Sequence, residues 1–244
     1  MLRDPKAAEM VRSIGVDAAK YGRGIGGSVL SLRTAIIDVW VRAFLVEHPG
    51  GTVVEIGTGL NTRFERVDSG QVRWIDLDLP DVIALRRRYF ADTDRRRMIA
   101  ASALDEGWLD DVAASPGPYF FVAEAVLAYL PEDQVMRVLS RIVERFPGAL
   151  AGLDTWPQRM IARQHRAAAK TGQQARLSWA CDDPHSLRRL GLQVVESATI
   201  TRPPDALRSR LPAVYRYLLP LADPILPKFF TLTLFRCGNA PPGQ

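Results

Sequence analysis

Cysteine is scarce in this chain: two, Cys181 and Cys237, among 244 residues. So few thiols, with no ligand spacing around them, exclude a disulfide framework and predict no metal centre. Histidine is scarce too, at His48, His165 and His185. None is paired with a nucleophile, so a surface or capping place is expected for each. Lysine supplies only four of the 32 basic residues, Lys6, Lys20, Lys170 and Lys228. The net charge of +5 and pI near 9.5 therefore come from arginine spread along the chain. A nucleic-acid partner, which selects a clustered basic face, is not expected. Long apolar runs are also missing. The most apolar stretch, 211–235, is broken by Pro212, Arg216, Pro220, Asp223, Pro224, Pro227 and Lys228, unlike the ~20 uninterrupted residues of a membrane span. The opening Met1-Leu2-Arg3-Asp4-Pro5 has no apolar run behind it, so no signal peptide is expected and the chain reads as cytoplasmic.

What is present is a globular composition, 47% hydrophobic and 24% charged. At this length, folding removes about 70–75% of the extended surface from water, enough for a core without staples. From residue 52 onward, short β-branched runs alternate with helical patterns, as in a parallel sheet covered by helices. Seven strands are predicted at Thr52–Ile56, Val72–Leu77, Arg97–Ala100, Tyr119–Ala123, Ala149–Leu153, Gln193–Ile200 and Phe229–Arg236. The first five are nearly unbroken apolar runs, expected of strands buried on both faces, while the last partly alternates, as an antiparallel strand does. Leu32, Ile36, Trp40 and Phe44 recur at helical spacing over Ser31–Glu47, and further helices are expected at Pro80–Phe90 and Pro131–Phe146, each opening on proline. The predicted fold is α/β: a Rossmann-like seven-stranded sheet, six strands parallel and one antiparallel, with helices on both faces. A single domain is expected, with a helical cover at 1–50, a core at 51–237 and a polar lid insert at about 155–182. Residues 238–244 read as a disordered tail.

The first strand runs into Glu55-Ile56-Gly57-Thr58-Gly59. Glycine there permits positive φ and lets a ligand approach the backbone. A dinucleotide fingerprint would need a third glycine where Thr62 stands, which disfavours a nicotinamide cofactor and leaves it as an alternative. Asp78, 21 residues after Gly57, lies near the ~20-residue offset at which a carboxylate holds ribose hydroxyls. A tight turn with a solvated strand-end acid is the plainer alternative for this pair. Glu124 ends the fourth strand, where open α/β sheets bind ligands. A buried carboxylate there needs a partner, and an adenosine ligand bearing a sulfonium offers both hydroxyls and positive charge.

Four ordered segments, Leu32–Val41 (LRTAIIDVWV), Val53–Phe64 (VVEIGTGLNTRF), Trp74–Arg88 (WIDLDLPDVIALRRR) and Ala123–Glu132 (AEAVLAYLPE), resemble the leucine carboxyl methyltransferase family. The closer likeness is to its bacterial branch of O-methyltransferases from tetracenomycin-type polyketide pathways, and it runs from about Asp4 to the last strand. The resemblance implies a class I methyltransferase with S-adenosylmethionine as cofactor. It further implies Arg33 on the methionyl carboxylate, Glu55, Gly57 and Gly59 around the methionine part, and Asp78 on the ribose. Ala103 and Leu104 would line the adenine, and Glu124 matches the acid after the fourth strand. Two positions depart from the family: Ala103 stands where aspartate is frequent, and Asn61 replaces the aspartate of the glycine loop. Related chains also usually carry an extra segment ahead of the Asp4-Pro5 motif.

Methyl transfer from a sulfonium is an in-line displacement with an already activated donor, so the protein mainly aligns the partners and excludes water. A carboxylate acceptor needs no base, whereas a phenol, with a pKa of about 10, does; no catalytic residue is assigned. Within the insert, Arg159, Arg163, Arg166 and Lys170 share one helical face and are placed to steer an anionic acceptor, against the plainer reading of a solvated stripe. Tyr129 and Trp156, at strand ends, are candidates for the acceptor wall or for the core. The expected function is O-methylation of a carboxylate or hydroxyl on a small, anionic or aromatic, polyketide-like molecule. The alternatives are a cofactor-binding protein that has lost catalysis with a short N-terminus, and a protein carboxyl methyltransferase.

Overall fold

The computed structural model describes residues 4–14, 25–171, 176–209, 216 and 230–238. Of the tail expected at 238–244, Gly238 is placed, its N–H donating to Gly191 O at 2.8 Å; 239–244, Phe229, most of the apolar stretch at 211–229, Lys20, Lys228 and the side chain of Lys170 lie outside the described residues. Helices α1 (Pro5–Ile14) and α2 (Ile25–Glu47) precede the sheet. Strands β1 (Thr52–Ile56), β2 (Arg73–Asp78), β3 (Arg96–Ala100), β4 (Tyr119–Ala123), β5 (Leu150–Thr155), β6 (Leu192–Ala198) and β7 (Thr231–Cys237) follow. They alternate with α3 (Arg63–Val67), α4 (Pro80–Arg86), α5 (Gly107–Ala113), α6 (Glu132–Arg145), α7 (Gln158–Thr171) and α8 (Asp205–Arg208).

The strand order is β3-β2-β1-β4-β5-β7-β6. β1 to β5 pair in parallel, and β7 runs antiparallel to both β5 and β6, which gives the predicted six strands one way and one the other. Between β1 and β4 the connections leave in opposite directions, and such a switch point opens a crevice at the carboxyl ends of the strands. Side chains alternate across the sheet. Val54, Ile56, Phe121 and Ala123 pack with Trp108, Val112, Val135, Leu139 and Ile142 of α5 and α6. Val53, Phe120 and Val122 pack with Ile36, Trp40 and Phe44 of α2 on the other face. Each large apolar side chain buried this way contributes roughly 1.5–3 kcal/mol.

Several boundaries differ from expectation. β5 extends past the predicted Leu153 because Asp154 and Thr155 pair with Leu232 and Thr231 of β7. The helix expected to reach Phe90 ends at Arg86, where the guanidinium is drawn inward to buried Asp76. α1, α3 and α5 are short helices that no periodicity announced. The apolar strands also conceal charge: Glu55, Asp76 and Asp154 are 2%, 0% and 1% exposed. The polar segment after β5 is pinned to the body of the fold. Ile161 and Leu177 pack on Ala128, Ser178 N and Trp179 N donate to Ala128 O at 2.6 and 3.1 Å, and Trp179 and Cys181 join the main core. No helix among the described residues is long and apolar enough to cross a membrane.

Candidate active site

At the end of β1 the chain turns on two glycines with opposite surroundings. Gly57 has φ +64°, and a Cβ there would stand 2.2 Å from Val126 Cγ2; Gly59 has φ +50°, and a Cβ there would meet nothing within 4 Å. Gly57 is thus glycine for packing, while Gly59 opens onto free space where a ligand can approach the backbone. Asp78, at the end of β2, accepts from Gly59 N at 2.7 Å and from Leu79 N at 2.8 Å. Arg86 Nη1 donates to the carbonyls of Gly59 and Asn61 at 2.8 and 2.9 Å, and its Nη2 reaches Asp76 at 3.0 Å. The loop is therefore locked from below. Thr62 bonds Asp4 at the start of α1, and Asn61 Nδ2 donates to Glu55 Oε1 at 2.9 Å.

Beneath the turn lies a buried ionic network that the sequence reading missed. Arg63, at 0% exposure, donates to Asp38, Glu55 and Glu124 together. Asp38 in turn binds Arg66, which binds Asp4. Glu124 also accepts from Arg33 Nε at 2.9 Å and Thr34 Oγ1 at 2.7 Å, so two residues expected on the cofactor separately are paired with each other. Charges inside the apolar runs VVEI and WIDL were the signal: strand alternation turns both inward, and a buried carboxylate requires a cation. The two glutamates are driven apart. Burial lifts Glu55, opposed by Arg63, to a pKa of about 7. Burial also pushes Glu124 up, but the Arg63 and Arg33 guanidiniums and the Thr34 hydroxyl more than offset it, holding its carboxyl below the usual range.

Past β4 the backbone kinks at Ala125, φ +58°. Its N–H donates to Asp154 Oδ1 at 2.8 Å, and Trp156 Nε1 donates to Asp154 Oδ2 at 2.8 Å. The Trp156 ring lies 5.2 Å from that of Phe230, over which the Arg33 guanidinium sits at 5.7 Å. The Arg33 side chain is only 13% exposed, and its guanidinium also acts on the buried Asp154 carboxylate through its charge. Trp156 is half-buried, with contacts to two core clusters, and Tyr129 is exposed. Ala103 O and Leu104 O accept from Trp108 Nε1 and Arg141 Nη1 at 3.2 and 2.6 Å, which fixes that loop. Arg159, Arg163 and Arg166 are on the exposed side of α7, opposite buried Met160, Ile161 and Ala168. The histidines are occupied elsewhere: His48 packs on Phe44, His165 bonds Leu177 O at 2.6 Å, and His185 stands exposed at a helical turn. Among the described residues, no cluster of His, Cys, Asp or Glu could hold a metal.

Comparison with known proteins decides the family. The profile of the leucine carboxyl methyltransferase family matches residues 2–143. The tetracenomycin polyketide synthesis O-methyltransferase TcmP of Streptomyces glaucescens is 33% identical over 192 residues, 77% of this chain and 70% of its own. The chain belongs to the leucine carboxyl methyltransferase family. Like the family, it is an S-adenosylmethionine-dependent methyltransferase. Its fold matches a DUF574 family protein from Streptomyces avermitilis, with TM-score 0.60, 16% identity, and coverage of 95% of this methyltransferase and 88% of that chain. The N-methyltransferase NodS of Bradyrhizobium japonicum, solved with S-adenosylhomocysteine, matches with TM-score 0.53 and 14% identity over 97% and 100% of the two chains.

Proposed function

We propose that this methyltransferase acts on oxygen, methylating a carboxylate or hydroxyl of a small, polyketide-like molecule. The residues fit the cofactor. Open space over Gly59 suits close approach of the methionine part, Asp78 retains lone pairs for ribose hydroxyls, and the Arg33 guanidinium, bound to Glu124 through Nε, suits the methionyl carboxylate. Ala103 and Leu104 lie on the fixed loop after β3 where the adenine would rest. Glu55 contributes from below, through Arg63 and Asn61.

The observation that carries this reading is Arg33, held through Nε by ionised Glu124 beside the switch point. When bound, S-adenosylmethionine supplies an activated methyl on a sulfonium. The chain's own part is positioning: Arg33 and Glu124 fix one end, Asp78 the other, and Trp156 with the insert keeps water from the acceptor side. A carboxylate acceptor would need no base from the protein. Tyr129 and Trp156 would wall the acceptor, and Arg159 and Arg163, exposed on α7, would attract an anionic one from a distance. The likeness to TcmP, named for O-methylation in tetracenomycin polyketide synthesis, supports the choice of acceptor class.

The test is a thermal shift titration with S-adenosylmethionine, S-adenosylhomocysteine and NAD, repeated on Arg33→Ala and Asp78→Ala. Stabilisation by the two sulfur ligands, weakened in both variants, is expected; stabilisation by NAD alone would refute the assignment. Incubation with labelled donor and a panel of aromatic acids, phenols and amines should then yield methyl esters or ethers, and transfer confined to the amines would refute oxygen chemistry.

A further inference from the structure

Ala125 is the non-glycine residue with positive φ among the described residues, and it stands between two parts of the site. On one side is Glu124, paired with Arg33 and Arg63. On the other is Val126, packed against the α-carbon of Gly57 so closely that no side chain fits there. An alanine does not adopt the left-handed region unaided, since its Cβ crowds the following carbonyl; strain kept at such a point calls for a group that maintains it. The group in contact is Asp154, buried at the end of β5. One carboxylate oxygen takes the Ala125 N–H and the other the Trp156 indole, each at 2.8 Å. The indole packs on Phe230, and Phe230 carries Arg33 on its face. A single side chain thus touches both routes to the Arg33 and Glu124 pair, one through backbone and one through stacked rings.

We propose that Asp154 is a positioning residue: it clamps the Ala125 kink that aims Glu124 and seats Val126 on the glycine turn, and it orients Trp156 behind Phe230 and Arg33. Asp154 also faces Arg33 and Glu124 directly through charge, so the clamp is separated from that effect by restoring the kink without the carboxylate. The inference rests on the reading of Arg33 and Glu124 as the cofactor's methionyl end.

The test uses calorimetric binding of S-adenosylhomocysteine to four proteins: wild type, D154A, D154A/A125G, and R33A as reference. Glycine holds positive φ without a clamp, so the double variant restores the kink while leaving the indole unbonded. D154A is expected to bind at least about tenfold more weakly, the factor carried by one charge-assisted hydrogen bond. The double variant should recover most of that loss, to within about threefold of wild type, the remainder being what the unbonded Trp156 indole costs. Tryptophan emission should change in D154A and stay changed in the double variant, with no such change when D154A is made in a W156F background. A purely structural aspartate would not be rescued by A125G, and failure of rescue overturns the proposal. Should D154A not fold, the double variant decides alone, because binding far weaker than wild type contradicts the clamp. If R33A weakens binding and D154A does not, the positioning inference falls by itself; if neither weakens it, the reading of the methionyl end falls and takes the inference with it.

Discussion

Replacing Glu55 by glutamine isolates the consequence of burying a carboxylate beneath the glycine turn. Glu55 Oε1 accepts from Arg63 and Asn61, and its Oε2 has no partner, so an amide oxygen can keep both bonds while the charge disappears. Desolvation outweighs the attraction of Arg63, and the neighbouring Asp76 and Glu124 charges add to it, lifting Glu55 from an ordinary 4.5 to about 7. A carboxyl with a raised folded pKa binds its proton more tightly in the folded state. Its contribution to stability is therefore complete below pH 4.5 and is lost as pH climbs through about 7. At about 1.4 kcal/mol per pH unit, roughly 3 kcal/mol goes between those limits. Glutamine has no such titration. The unfolding free energy of Glu55→Gln minus that of wild type should thus rise by about 3 kcal/mol from pH 4.5 to pH 8. Titrating groups that do not interact with Glu55 are common to both proteins and cancel in the difference. Urea unfolding followed by tryptophan fluorescence across this range measures it. A flat difference would refute the argument, for it would mean that Arg63 keeps Glu55 ionised throughout.

Arg63→Met leaves Asp38, Glu55 and Glu124 buried around a vanished cation, so about 3–5 kcal/mol of stability should go, read as loss of the cooperative urea transition at neutral pH. Arg33→Ala removes a largely buried guanidinium but leaves Glu124 paired with Arg63, and should weaken S-adenosylhomocysteine binding by about 10- to 100-fold, as calorimetry on the folded variant would measure. The two glycines should separate cleanly. Gly57→Ala places a methyl against Val126 and should lower Tm strongly, with partial recovery in a Val126→Ala background. Gly59→Ala should cost about 1–2 kcal/mol of backbone strain yet abolish tight cofactor binding, because its new methyl projects into the space left for the ligand.

Much of the fold was legible in the sequence because buried parallel strands must be apolar along their whole length. β1 and β4 were placed to the residue, and the antiparallel β7 followed from its partial alternation. Short helices such as α3 and α5 carry too few turns for periodicity to register. The turn at Gly57 and Gly59 and the place of Asp78 at the end of β2 were legible from spacing, since a turn and a strand end are local features. The partners of Glu124 were not: Arg33 lies 91 residues before it and Arg63 lies 61 before it, and only folding brings them together.

The sequence by itself determined the seven-stranded architecture, the glycine turn and the acid at the end of β2, because backbone geometry and strand burial are written in neighbouring residues. The tertiary structure decided which charges meet. Arg63 becomes the hub of three carboxylates, and Asp154 becomes the clamp on Ala125, because a buried charge takes its partner from whatever the packed elements bring within reach.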